Sequence, residues 1–139
     1  MHRLFSKKDI NDNENSKTIK DKLNKYSLSR SLQKNINMLK KEILTHDDTV
    51  IYRKLKNNDE SIEFCLVFID GMTNREVINQ NIIWTLMNKE FDCKDRHLIS
   101  YIREQVVVAD DIQETDDISK ILDSMLYGDS ILFVDGYNK

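Results

Sequence analysis

Two apolar runs constrain this chain more than any other feature. "CLVFIDG" at 65–71 and "ILFVDG" at 131–136 each carry large apolar residues straight into Asp-Gly. Ile62, Phe64, Leu66 and Phe68 alternate along one side of the first run, while Cys65, Val67 and Ile69 fill the other. A strand that is apolar on both sides belongs in the middle of a covered sheet. It also needs an abrupt exit. Asp supplies a local hydrogen-bond acceptor and Gly accepts positive φ, so Asp-Gly suits that exit. The chain has no Pro and 3 Gly, and two of those glycines, Gly71 and Gly136, stand in this phrase.

The rest of the pattern is helical between strands. Ser29 or Ser31 can cap a helix in which Leu32, Ile36, Leu39 and Ile43 share one face, ending near His46. "TVIY" and its neighbours favour extended backbone, and "NNDE" breaks them with turn residues, so a hairpin leads into the first buried strand. Thr73 or Asn74 starts a second helix through Val77, Ile78, Ile82, Trp84, Leu86 and Met87, with Trp84 read as core. "HLISYIREQ" predicts another helix, "VVVA" at 106–109 a short strand, and the acidic "DDIQETDD" a solvated loop. Ile118, Ile121, Leu122, Met125 and Leu126 form a further amphipathic face, with Gly128 at the C-cap position.

Alternation of strands with helices from residue 62 onward predicts parallel pairs joined by crossovers. The expected fold is therefore α/β: a mixed, mainly parallel four-stranded sheet with helices packed on it and one antiparallel hairpin strand at an edge. The expected organisation is a loosely ordered polar arm over residues 1–27 and one α/β domain over 28–139. In a parallel sheet both Asp-Gly exits share the carboxyl edge, where α/β proteins bind ligands. That places Asp70, Gly71, Asn74, Asp135, Gly136 and Tyr137 on one docking or ligand edge.

Charge and cysteines narrow the function classes. Residues 1–58 hold 14 Lys and Arg against 7 Asp and Glu, net +7, and residues 59–139 hold 7 against 17, net −10. The basic half lacks the aromatic interleaving that stacks bases, so no nucleic-acid partner is expected. Cys65 lies in an apolar run and Cys93 in a polar one, without zinc-ligand spacing. The longest apolar runs are too short to span a bilayer, and the N-terminus lacks the apolar stretch of a signal peptide.

No catalytic signature is present: no Gly-rich phosphate loop, no H-E-x-x-H, no G-x-S-x-G. Asp70 and Asp135 are the one carboxylate pair open to metal or acid/base chemistry. "FVDGYN" resembles the opening strand of NYN-type ribonuclease domains, whose strand-end Asp helps to hold a metal. There further acids follow, whereas here Tyr137, Asn138 and Lys139 close the sequence. Turn chemistry is the preferred reading of both aspartates; no metal, cofactor or catalytic residue is expected. A small metal-dependent hydrolase is the rival, and a free-standing interaction domain a third reading.

Three ordered phrases resemble the A subunits of GerA-type spore germinant receptors. They are "HDDTVIYR" at 46–53, "FIDGMTNREVINQNIIWTLM" at 68–87 and "ISKILDSMLYGDSILFVDGYNK" at 118–139. Asp48, Arg53, Gly128 and Asp129 carry part of that pattern and are expected to be structural. Asn74 departs from it, since many relatives carry an acidic residue there. The resemblance implies a non-catalytic cytosolic module, the first subdomain of a longer membrane protein. Such subunits assemble with B and C subunits in the spore inner membrane, with this region on the cytosolic (core) side. The complex senses a small nutrient and triggers germination. The downstream domain and the membrane segments would lie in the remainder of that longer chain.

Overall fold

Ser31 begins the first helix. The computed structural model describes residues 2–4, 22–58, 60–72, 82–88, 98–103 and 112–136. Ser31 has extended backbone, and its hydroxyl accepts the Lys34 N–H, so it caps α1 (Leu32–Asn37). The Asn35 side chain, itself buried, closes a ring with Ser29: its Oδ1 accepts the Ser29 N–H at 2.8 Å and its Nδ2 donates to Ser29 O at 2.7 Å. The helix continues as a π-helical segment, Met38–Ile43, where Leu44 N–H reaches back to Leu39 O at 2.7 Å.

Two strands follow as a hairpin, β2 (Val50–Lys56) and β3 (Glu63–Ile69), after the short N-terminal β1 (His2–Leu4). Asn57 builds the turn between them. Its N–H donates to Ile62 O, its carbonyl accepts the Glu60 N–H, and its Oδ1 accepts the Ile62 N–H at 2.9 Å. Two short helices come next, α2 (Trp84–Asn88) and α3 (Leu98–Tyr101), then β4 (Ile112–Glu114). Asp117 caps α4 (Ile118–Leu126) by accepting the Ser119 N–H, and β5 (Ser130–Val134) completes the sheet.

The sheet runs β2-β3-β5-β1-β4, and every neighbouring pair among the described strands is antiparallel. This overturns the expected mainly parallel, four-stranded sheet. The fold is mixed α/β, built on an antiparallel β2-β3-β5 core with the short strands β1 and β4 beyond it. β1 accounts for part of this. Both β4 and β5 pair antiparallel to β1, so they run in the same direction, as a β4-α4-β5 crossover requires. They are not adjacent, because His2–Leu4 lies between them. Strand–helix alternation matches the relative direction of β4 and β5 but not that of β3, which runs opposite to both, and it does not predict insertion of a strand from the far terminus.

Other expectations shift as well. The arm expected over 1–27 contributes β1, and the acidic run expected as loop contains β4, whose Ile112 packs against the core. The expected strand at 106–109 lies outside the described residues. Trp84 is 64% exposed rather than core; Ile82, Ile83 and Leu86 of the same stretch are buried instead.

Each face of the sheet carries its own core. Cys65, Val67, Ile131 and Phe133 pack under α1 and α4 with Leu32, Ile36, Leu39, Ile121 and Met125. Phe64, Leu66, Phe68, Leu132 and Val134 pack on the other face with Leu86, Leu98 and Ile102. Burying a side chain of this size contributes about 1.5–3 kcal/mol. β3 and β5 are therefore held in register from both sides.

Candidate functional site

Antiparallel pairing separates the two Asp-Gly turns. Asp135 N–H donates to Glu63 O at 2.9 Å, so the second turn sits beside the start of β3. Asp70 follows the end of β3, where its N–H donates to Thr49 O at 2.7 Å. At about 3.3 Å per residue along β3, the two aspartates lie roughly 20 Å apart. The expected common edge is not formed, and no metal or acid/base pair can be built from Asp70 and Asp135. Asn74 and Tyr137, placed on that edge by the sequence reading, lie outside the described residues.

At the Asp135 end the aspartate is a helix clamp. Its Oδ1 accepts the Leu32 N–H at 2.9 Å, a free donor of the first turn of α1. Gly136 N–H donates to Arg30 O at 2.7 Å. The carboxylate thus ties the end of β5 to the start of a helix more than a hundred residues earlier in the chain.

The Asp70 end is organised by Gly128. Asp129 N–H bonds to Ser124 O and Gly128 N–H to Met125 O, both at 3.0 Å, which ends α4 in a Schellman motif. Gly128 has φ +93°, and a Cβ there would stand 2.8 Å from Met72 O. The α4 terminus is therefore seated directly on the Asp70–Met72 turn. The sequence pattern singled out Asp70, Gly71, Gly128 and Asp129, and the fold brings these two turns together.

Beside them lies a cleft of about 230 Å³ between α4 and the ends of β2 and β3. Leu23, Leu44, Val50, Ile69, Leu122 and Leu126 line it, with Asp47 and Asp123 among its polar groups. Sequence reading missed Leu23, which belongs to no motif, and Asp47, which lies in the phrase at 46–53 but was given no role there; only the fold carries them to α4. Asp47 Oδ1 accepts both the Thr49 hydroxyl and its N–H, and these bonds hold the carboxyl below the usual Asp range. It stays ionised and is no general acid. Around the cleft Met72, Leu126 and Tyr127 are 50%, 67% and 43% exposed. Ligand sites usually occupy roughly 300–1,000 Å³, so this is a contact surface more than a small-molecule chamber.

Asp48 is exposed in the turn before β2, and Arg53 is exposed on β2. Cys65 is fully buried in β3; burial pushes its thiol up to about 12, which removes it as a nucleophile at neutral pH. Among the described residues, no group of three or more His, Cys, Asp or Glu is placed to hold a metal ion. No helix among them is long and apolar enough to cross a membrane.

A family model described as Bacillus/Clostridium GerA spore germination protein matches residues 37–139. The chain belongs to the GerA family. Spore germination protein KA of Bacillus subtilis (strain 168) is 23% identical over 112 residues, covering 81% of this chain and 20% of its own length. The crystal structure of the N-terminal domain of the A subunit of the Bacillus megaterium spore germinant receptor GerK3 matches with a TM-score of 0.69 and 27% identity. That match covers 81% of this chain and 45% of the crystallised one. The GerA-family chain described here thus spans about a fifth of its curated relative and under half of the crystallised domain.

Proposed function

We propose that this chain is a non-catalytic module of a nutrient-responsive germinant receptor and acts in spore germination within the N-terminal domain of an A subunit. The observation that carries this reading is the match to the GerK3 A-subunit domain over 81% of the chain at 27% identity. In the whole receptor the module lies on the cytosolic (core) side of the spore inner membrane. The remainder of the subunit supplies the membrane segments, B and C subunits complete the complex, and the complex senses a small nutrient. The end of the molecule around Gly128 faces the rest of the N-terminal domain. Its exposed Met72, Leu126 and Tyr127 suit a packed intrachain contact better than open water.

In-frame deletion of residues 37–139 from the gene in its sporulating host tests the reading. Germination is followed as loss of optical density after each of a panel of nutrients is added. Spores are expected to lose the response to at least one nutrient and to keep it for others. An undiminished response to every nutrient, with the undeleted subunit present in wild-type spores, removes the assignment.

A further inference from the structure

The β2 edge of the sheet, open among the described residues, has features that neither the core nor the Gly128 end explains. Among the described strands β2 pairs with β3 alone. The register decides which backbone groups are spent. Thr49 with Asp70 and Asn57 with Ile62 are hydrogen-bonded pairs, so the intervening Ile51, Arg53 and Leu55 also point their N–H and C=O groups at β3. Val50, Tyr52, Lys54 and Lys56 point theirs outward. Val50 N–H is taken up by Asp47 O at 3.4 Å. The main-chain groups of Tyr52, Lys54 and Lys56 have no such partner among the described residues. They present N–H and C=O pairs roughly 7 Å apart, the repeat of an added strand.

The two sides of this edge differ chemically. On the α1 side stand Lys54, which donates to Gln33 Oε1 at 2.6 Å, and Lys40, whose Nζ lies 5.5 Å from the Tyr52 ring centre. Lys56 joins them, half exposed and 3.5 Å from Glu63. On the opposite side are half-buried Ile51 and α2, which packs against β2 and turns Trp84 and Met87, 64% and 45% exposed, to solvent. Arg53 is exposed on that side as well.

We infer that the β2 edge is a strand-addition site for an extended segment of a partner protein, acidic on one face and apolar on the other. Main-chain bonds to Tyr52, Lys54 and Lys56 supply the affinity common to strand addition, and the side chains choose the sequence. Acidic residues of the added strand face Lys40, Lys54 and Lys56; its apolar residues lie toward Ile51 and the α2 side. A second copy of this edge is a poor occupant, because antiparallel pairing of β2 with itself sets lysine against lysine. A phosphate polymer or lipid surface would use the lysines but has no donors for the outward carbonyls.

The test uses the 139-residue chain and the peptide acetyl-Val-Glu-Val-Glu-Val-Glu-Val-amide in about 150 mM salt, where surface charge is screened beyond roughly 8 Å. Trp84 is the single tryptophan, so its emission reports the α2 side directly. Saturable shifts of the Tyr52, Lys54 and Lys56 amides, a change in Trp84 emission, and at least tenfold weaker binding of the Lys-for-Glu peptide are expected. Lys54→Pro removes an outward N–H together with the lysine and its exposed bond to Gln33, and breaks no bond to β3, so it should melt near the parent and lose binding. Should that variant unfold, Lys54→Glu serves, with at least tenfold weaker binding expected. The inference is overturned if no amide of β2 moves, if folded Lys54→Pro or Lys54→Glu binds as well as the parent, or if anionic phosphatidylglycerol vesicles or a poly-dT strand shift the same amides as strongly.

Discussion

The same dipeptide leaves β3 and β5, and the two copies do different work. After β5, Asp135 uses its side chain: the carboxylate holds the Leu32 N–H and fastens the start of α1 to the sheet. After β3, the backbone carries the turn: Asp70 N–H bonds Thr49 O, and Met72 O receives the close approach of Gly128. One exit is stabilised by a charge-assisted bond, the other by the absence of a side chain on a neighbour. A repeated motif is therefore not a repeated function. What each copy does is set by the element that the fold lays against it.

That difference is testable as a ranking. The largest effect belongs to the exit from β3. Gly128→Ala combines positive-φ strain with a methyl driven into Met72 O, where the blocking atom is backbone and yields little. The expected loss is about 2–4 kcal/mol in urea unfolding. A loss no greater than that of Gly71→Ala means the α4 terminus does not bear on the turn.

Next comes the exit from β5. Asp135→Ala leaves the Leu32 donor unmatched and should cost about 1–2 kcal/mol. Asp135→Asn keeps an acceptor oxygen and should recover most of that loss. Equal losses for Ala and Asn show that the carboxylate acts by charge on the helix terminus and not by its bond.

Alkaline titration acts on the strand that both turns share. Burial raises the Cys65 thiol to about 12 from an ordinary 9.0, opposed by the nearby charges of Lys54 and Lys40 and a backbone bond at Arg53. The unfolded chain thus releases this proton first. The stabilisation is complete below pH 9 and declines as pH rises toward 12, by about 1.4 kcal/mol per pH unit. Tyr52 adds to the same decline above pH 10, its burial raising it to about 12 with smaller contributions from Cys65 and Asp47. Protection of the amides at the two turns, relative to their base-catalysed intrinsic exchange, should fall together between pH 9 and 10, and Cys65→Ala should flatten the slope. Loss of protection at one turn alone would mean that the ends unfold independently.

The smallest effect sharpens the first. Gly71 has φ +81° but open space where a Cβ would stand. Gly71→Ala should cost only the conformational strain, about 1 kcal/mol. The difference between Gly128→Ala and Gly71→Ala then isolates the contact with Met72, and the thermal shifts of the two variants measure it.

The sequence by itself determined the elements whose cause is local. The Leu32–Ile43 face, the hairpin into β3, both-face burial of β3 and β5, and α4 with its glycine cap follow from periodicity, turn residues and capping, all within a few residues. Three ordered phrases also carried the family. Tertiary structure alone decided strand order, because His2–Leu4 enters between β5 and β4, and strand direction, because β3 pairs antiparallel with β5; no local pattern encodes either. It alone separated Asp70 from Asp135, since pairing direction sets which ends meet. It alone exposed Trp84, because a short helix has room to bury Ile83 and Leu86 only by turning Trp84 and Met87 outward. The cleft was hidden for the same reason: Leu23, Asp47 and Leu126 are far apart in the chain, and only the closed sheet brings them to one wall.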